Sequence, residues 1–146
     1  MSKRSQIVAA LVGKLKEISI ANGYNTELFE AVYPRLVFWD QTSTFPSLYV
    51  VAGSESREYL PSRFAWGYLG VSIKVYCKGD NPQQALENLL EDIEKIVYNN
   101  HDLTINLDSH EQTTEILVSS IVTDEGLLDP YGIGEINLQV RYPIYN

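Results

Sequence analysis

The chain has 146 residues, 45% of them hydrophobic, a single cysteine and a formal net charge of -8. That length suits one domain over 1–146, with apolar surface enough to fold without a metal or a disulfide. The acidic balance repels phosphate and excludes sequence reading of DNA or RNA as an expected role.

The opening "MSKRSQIVAALVGKLKEISIANG" is basic and then apolar. Lys14, Lys16 and Glu17 interrupt the apolar run and no small-residue cleavage site follows, so it reads as a mature helix rather than a secretory signal. Ile7, Ala10, Leu11, Leu15 and Ile18 recur at helical spacing, Ser5 can cap the start, and Asn22-Gly23 can close the end. No stretch approaches the roughly 20 apolar residues of a membrane helix. With no disulfide possible within the chain, an intracellular site of synthesis is expected.

The period then changes to two. "YPRLVFWD" and "PSLYVVAG" are strand-like runs joined by the polar residues 41–45, a spacing that predicts a hairpin. "GSESREYLPSRFAWG" carries its aromatics away from any core pattern and reads as a long polar loop over 54–67, of the length that in compact domains is often functional. In "YLGVSIKVYC", Leu69, Val71, Ile73, Val75 and Cys77 share one face of a half-buried strand.

"GDNPQQALENLLEDIEKIVYNN" predicts the second helix. Asn81 is its N-cap, Pro82 its first residue and Gln84 the capping-box partner. Its apolar stripe is Ala85, Leu86, Leu89, Leu90, Ile93, Ile96 and Val97, with Glu91 and Glu94 on the solvated side. After it, "LTINLD" alternates Leu103, Ile105 and Leu107. "TEILVSSIVTD" is apolar on both faces, as a central strand would be. "GEINLQVRYPIY" sets Ile136, Leu138, Val140 and Tyr142 on one side, and Pro143, without a donor, puts this last strand at an edge or ends its pairing. The expected architecture is α+β: a mostly antiparallel sheet with two helices on one face.

Catalytic chemistry has weak candidates. Cys77 lies on the buried face of its strand, where a thiol behaves as a small hydrophobe. His101 and His110, with Asp102, Asp108 and Glu111 nearby, lack a recognised metal-ligand spacing, so no metal site is expected. Gly132 and Gly134 have no third glycine and lead into a strand, which fails the dinucleotide fingerprint; they read as turn glycines after Asp129-Pro130. No cofactor is implied.

Two features remain. Tyr49, Tyr59, Phe64, Trp66, Tyr68 and Tyr76, with Arg35, Arg57 and Arg63, are of the residue types enriched at the energetic centres of protein interfaces. From residue 80 to 135 every charged residue except Lys95 is acidic.

An acidic chain with this N-terminal helix, the "YPRLVFWD" and "PSLYVVAG" strands, an aromatic-rich extension, the "PQQALENLLEDIEKIV" helix and a closing "GIGEINLQVRYPI" strand resembles the tail terminator (tail completion) proteins of long-tailed bacteriophages over nearly its full length. The resemblance implies a non-enzymatic virion protein of the tail, assembled in the host cytoplasm, that forms a homohexameric ring. Its partners would be other copies of itself, the tail tube protein and a head-completion or connector protein. DNA would pass without specific binding, and no membrane is involved. Arg57, Tyr59, Arg63, Phe64 and Trp66 become candidates for the oligomer or tube interface, together with residues 41–45. Glu111, Glu115, Asp124 and Glu125 become candidates for an acidic lumen. A neck or head-completion protein would have similar size and charge, whereas a small cytosolic ligand-binding domain would show a concave apolar pocket.

Overall fold

The computed structural model describes residues 1–106 and 108–145. Leu107, expected to alternate with Leu103 and Ile105, lies outside the described residues. In chain order the elements are α1 (Lys3–Leu15), β1 (Val32–Tyr33), β2 (Ser47–Leu60), β3 (Phe64–Lys78), α2 (Pro82–Asn99), β4 (Thr104–Asn106), β5 (Glu111–Gln112), β6 (Glu115–Thr123) and β7 (Tyr131–Tyr145). Five strands form one sheet in the order β1-β2-β3-β7-β6, and β4 and β5 make a separate ribbon. Every pairing in the main sheet is antiparallel except β1 with β2. This is the expected α+β class. Among the described residues no helix is long and apolar enough to cross a membrane.

Both helices cover the same face of the sheet. Ile7, Leu11 and Leu15 of α1 and Leu86, Leu89 and Ile93 of α2 join Leu69, Val71, Ile73, Val75, Ile136, Leu138 and Val140 in one buried cluster. The cap of α1 is Ser2 rather than Ser5: the Ser2 hydroxyl oxygen accepts the Ser5 N–H at 3.0 Å. The helix also stops short of Asn22-Gly23. After Lys16, the N–H groups of Glu17 and Ile18 reach back only three residues, and this tighter winding turns Ile18 into the core.

The second helix starts as expected, with Asn81 Oδ1 accepting the Gln84 N–H at 3.5 Å. The reciprocal half of the box, in which the Gln84 side-chain oxygen would accept the Asn81 N–H, is not made among the described residues; the Gln84 side chain lies along the helix and its amide donates to Asn88 Oδ1 at 2.9 Å. Ala85 faces solvent rather than the core. Asp92 takes its place on the buried stripe, fully enclosed. Its two carboxylate oxygens accept the N–H groups of Asn25 and Thr26, each at 3.0 Å. A buried carboxylate is tolerated where it satisfies donors that would otherwise be orphaned; here it ties the segment after α1 onto α2.

The strand readings need four corrections. "YPRLVFWD" does not form a hairpin with "PSLYVVAG". Only Val32 and Tyr33 pair, and they run parallel to Leu48 and Tyr49. Pro34 supplies no donor to extend that ladder. Residues 34–46 instead cross the sheet face opposite the helices, where the Tyr76 hydroxyl donates to the Val37 carbonyl at 2.7 Å and Trp39 and Phe45 pack on Tyr131.

Second, residues 54–67 are not a loop: β2 and β3 continue through them as a hairpin paired from Ser47 with Tyr76 to Leu60 with Phe64. Third, β6 lies at an edge of the sheet and β7 is internal to it, between β3 and β6. Pro143 nevertheless obeys its chemistry. Arg141 offers its carbonyl to Thr114 on the β6 side, so two residues on, Pro143 points its donorless nitrogen to that same side, after β6 pairing has ended at Arg141. Fourth, Gly132 and Gly134 are strand residues of close approach, not turn residues. A Cβ on Gly132 would lie 2.5 Å from the Pro82 carbonyl oxygen, and one on Gly134 would lie 3.0 Å from Leu86 Cδ1. The turn glycine is Gly126, with φ +83°.

Candidate functional site

Beyond the row in which Arg141 faces Glu115, β6 has ended and the sheet continues as three strands. Its last rows are Arg57–Gly67–Tyr142, Glu58–Trp66–Pro143, Tyr59–Ala65–Ile144 and Leu60–Phe64–Tyr145. This extension is an arm, and all five expected interface residues lie on it.

The arm is stiffened from within. Glu55 sits at its root, accepting the Tyr142 hydroxyl at 2.6 Å and the Arg57 Nε–H at 2.7 Å. Burial, and then the hydrogen bond to Glu55, push the Tyr142 hydroxyl up to about 12. The same carboxylate, followed by Tyr59, raises the Arg57 guanidinium further above its already high value. Gly67 has no side chain because the Tyr142 ring fills that space, 2.7 Å from where a Cβ would be. On the opposite face the Arg141 guanidinium lies 4.5 Å from the centre of the Trp66 ring, and Phe64 meets Trp66 and Tyr145 edge-on at 4.9 Å and 5.2 Å. Trp66 and Phe64 therefore spend much of their surface holding the arm together.

The tip is different. Tyr59 is 69% exposed, and Leu60 and Arg63 also face solvent. The three-residue turn holds Ser62 at φ 71° and Arg63 at φ 62°, left-handed conformations that cost a non-glycine residue about 1–2 kcal/mol each. Strain of this kind collects where a side chain is needed in a set place. Residues 41–45 lie elsewhere: Thr42 hydrogen-bonds the Tyr49 hydroxyl at 2.8 Å and Phe45 packs on Tyr131, at the end of the sheet away from the arm.

A second surface is β6. Its apolar run is not buried on both sides: Leu117 is 48%, Val118 38%, Ile121 40% and Val122 56% exposed. Long, apolar, unprotected edges are avoided in proteins that stay single, because the free N–H and C=O groups recruit another strand.

The four expected lumen acids occupy distinct settings. Glu111 lies 3.6 Å from Lys3. Glu115 opens β6 opposite Arg141, and Glu125 is exposed in the following turn; among the described residues neither meets a cation within ion-pair distance. Asp124 staples its turn, accepting Gln83 Nε2–H at 2.9 Å, the Leu128 N–H at 3.2 Å and the Ile133 N–H at 3.3 Å. Burial alone would raise its carboxyl, but these hydrogen bonds outweigh it and hold the group below the usual carboxylate range. A lowered folded-state value means stability that is present above the ordinary carboxylate range and lost as pH falls through the lower one. Asp124→Asn is therefore expected to unfold at lower urea than the parent at neutral pH and to lose less between pH 4 and pH 2. Parallel urea midpoints across that range would refute the staple.

The remaining chemistry is sparse. Burial pushes the Cys77 thiol up to about 12, away from the reactive thiolate. His101 and His110 stand exposed around the β4–β5 ribbon. Among the described residues no three His, Cys, Asp or Glu side chains are placed to hold a metal ion. An open depression of about 350 Å³ between the 34–46 crossing and β6 is lined by Leu36, Phe38, Trp39, Tyr76 and Val122, with Lys74 at its wall. Lys74 is already paired with Glu135, an acid it holds below the usual carboxylate range.

Known proteins bear on the fold and the family. A solved chain in the virion of a native gene transfer agent particle superposes with a TM-score of 0.64 over 94% of this chain and 95% of that one; at 12% identity this likeness concerns the fold alone. The tail tube terminator protein p142 of Escherichia phage T5 is 32% identical over 152 aligned positions, covering 97% of this chain and 94% of the relative. The family model of the bacteriophage tail tube terminator protein matches residues 1–146. With full-length coverage by that family and a relative at this identity, the chain belongs to the bacteriophage tail tube terminator proteins.

Proposed function

We propose that this protein is a structural component of a phage tail that closes into a homohexameric ring on the last ring of tube subunits, stops tube growth there, and offers its other side to a head-completion or connector protein. The observation that carries the reading is the arm: a stiff, three-stranded extension ending in exposed Tyr59, Leu60 and Arg63, built for contact and not for catalysis. Its function follows from assembly. Subunits order on the tube end through one surface, and the surface they then present no longer matches a tube subunit. The protein acts as one domain without catalytic residues, and Glu115 and Glu125 are the acids best free to face a lumen, where they would keep passing DNA from adhering through its phosphates.

Negative-stain imaging of the purified protein, alone at high concentration and mixed with its cognate tail tubes, tests this. Six-fold rings or caps at one tube end are the expected result. Single particles that ignore the tubes would remove the ring reading and favour a neck protein.

A further inference from the structure

We infer that the free edge of β6 is the seat for the arm of a neighbouring copy, so that the two surfaces described above are the two halves of one contact. The inference rests on the ring reading and names the atoms that close it.

The two edges of the sheet are unequally guarded. At the β2 edge, β1 covers Leu48 and Tyr49, pairing is irregular between Ala52 and Glu55, and the Arg4 guanidinium donates to the Gly53 carbonyl. These are devices that keep an edge from recruiting strands. From Ser56 to Leu60, on the arm, none of them continues. At the other edge β6 also has one irregularity, between Val118 and Ser120, but no further strand covers any of its nine residues, which include neither proline nor lysine and are mostly exposed. Each molecule thus carries two open stretches of strand.

Direction and charge make these stretches complements. Both β2 and β6 are reached from the inner strands through antiparallel pairings, β2 to β3 to β7 to β6, so β2 and β6 run in opposite senses. Continuing the sheet from one copy into the next sets an arm strand antiparallel beside β6. On the arm, Tyr59 and Leu60 lie between Arg57, already paired with Glu55, and Arg63. On β6, Leu117, Val118, Ile121 and Val122 lie between Glu115 and Glu125. Glu58 does not break the match, since its carboxylate turns toward the Tyr68 hydroxyl at 3.4 Å. Pairing β6 with its own copy about a two-fold axis would instead bring Glu115 next to Thr123 and its acidic neighbours Asp124 and Glu125, and like charges across strands are unfavourable. An arm-to-edge contact joins two different patches, so it is heterologous, the kind of contact that makes a ring when its rotation closes.

Thiol cross-linking reads the contact directly, since Cys77 is buried and stays silent. Ser62→Cys at the arm tip and Ser119→Cys on β6, which lie side by side when Arg57 and Arg63 meet Glu125 and Glu115, are prepared as separate proteins, mixed, assembled free or on tube ends, and treated with a short bis-maleimide while micrographs record the assemblies. The expected result is a product joining the two variants that neither gives alone, and, from a chain bearing both substitutions, a ladder that ends at the ring. Rings or caps with no mixed product overturn the arm-to-edge contact and leave the ring reading standing. A product from Ser119→Cys alone shows the two-fold pairing and overturns it as well. No ring, cap or product under any condition removes both readings.

Discussion

Replacing Gly132 with alanine is expected to lower the free energy of unfolding by about 3 kcal/mol, at the upper end of what overpacking a close contact does. The atoms in the way are the Pro82 carbonyl oxygen at 2.5 Å and carbonyl carbon at 3.0 Å. They belong to the first residue of α2, which cannot move alone: the Gly79 N–H is bonded to the Pro130 carbonyl at 3.0 Å just before it, and Leu86 and Leu89 are fully buried one and two turns on. Relief would require α2 to lift from β7. Gly134→Ala is the internal comparison. Its added carbon meets the end of the Leu86 side chain at 3.0 Å, and a side chain can rotate, so about 1 kcal/mol is expected there. Urea unfolding of the two variants, at unchanged slope, measures both. Equal midpoints would mean that α2 is not docked through its first turn.

Arg63→Ala and Tyr59→Ala are expected to leave the monomer as stable as the parent, within about 0.5 kcal/mol for exposed positions, and to abolish ring formation. Truncating an arginine or tyrosine at the centre of an interface commonly removes 2 kcal/mol or more per contact, about a thirtyfold loss, and a closed ring multiplies that loss over every contact it makes. Gel filtration and micrographs report assembly; urea midpoints report folding. Rings that persist in both variants would move the contact off the arm tip, and a variant that fails to fold would assign the residue to structure instead. Trp66→Ala should also lose the ring, but with some softening of the arm, because its indole carries Arg141 and Phe64.

How far the sequence reveals these surfaces depends on what supplies the burial. The α2 stripe and the alternation of Leu69 to Cys77 were legible because both are satisfied inside the chain, by the same core. The 54–67 stretch reads as loop because its β2 half, Ser56 to Leu60, is exposed on both sides and its turn, Pro61-Ser62-Arg63, has none of the glycine or asparagine that marks left-handed turn positions. A signal was present nonetheless: Phe64, Trp66 and Tyr68 alternate with Ala65, Gly67 and Leu69, continuing the period of two to the tip. The misreading of β6 has another cause. An apolar run on both faces says that both faces are unfavourable in water, and nothing in the pattern says that the covering atoms belong to the same molecule. The buried role of Asp92 was hidden among a run of acids, since only the fold brings Asn25 and Thr26 to it.

The arm has a mechanical consequence. Strand β3 runs unbroken for 15 residues from Phe64 at the tip to Lys78 beside Tyr131, about 50 Å of extended backbone, and β7 pairs with it along that whole length. That ladder has no register break at which to hinge. A push at Arg63 cannot be absorbed by bending near the tip; it arrives at the far end as a tilt of the entire sheet, carrying α2 and the 34–46 crossing with it. The molecule is a lever with its helices mounted on the beam, and a load taken at one end is delivered at the other.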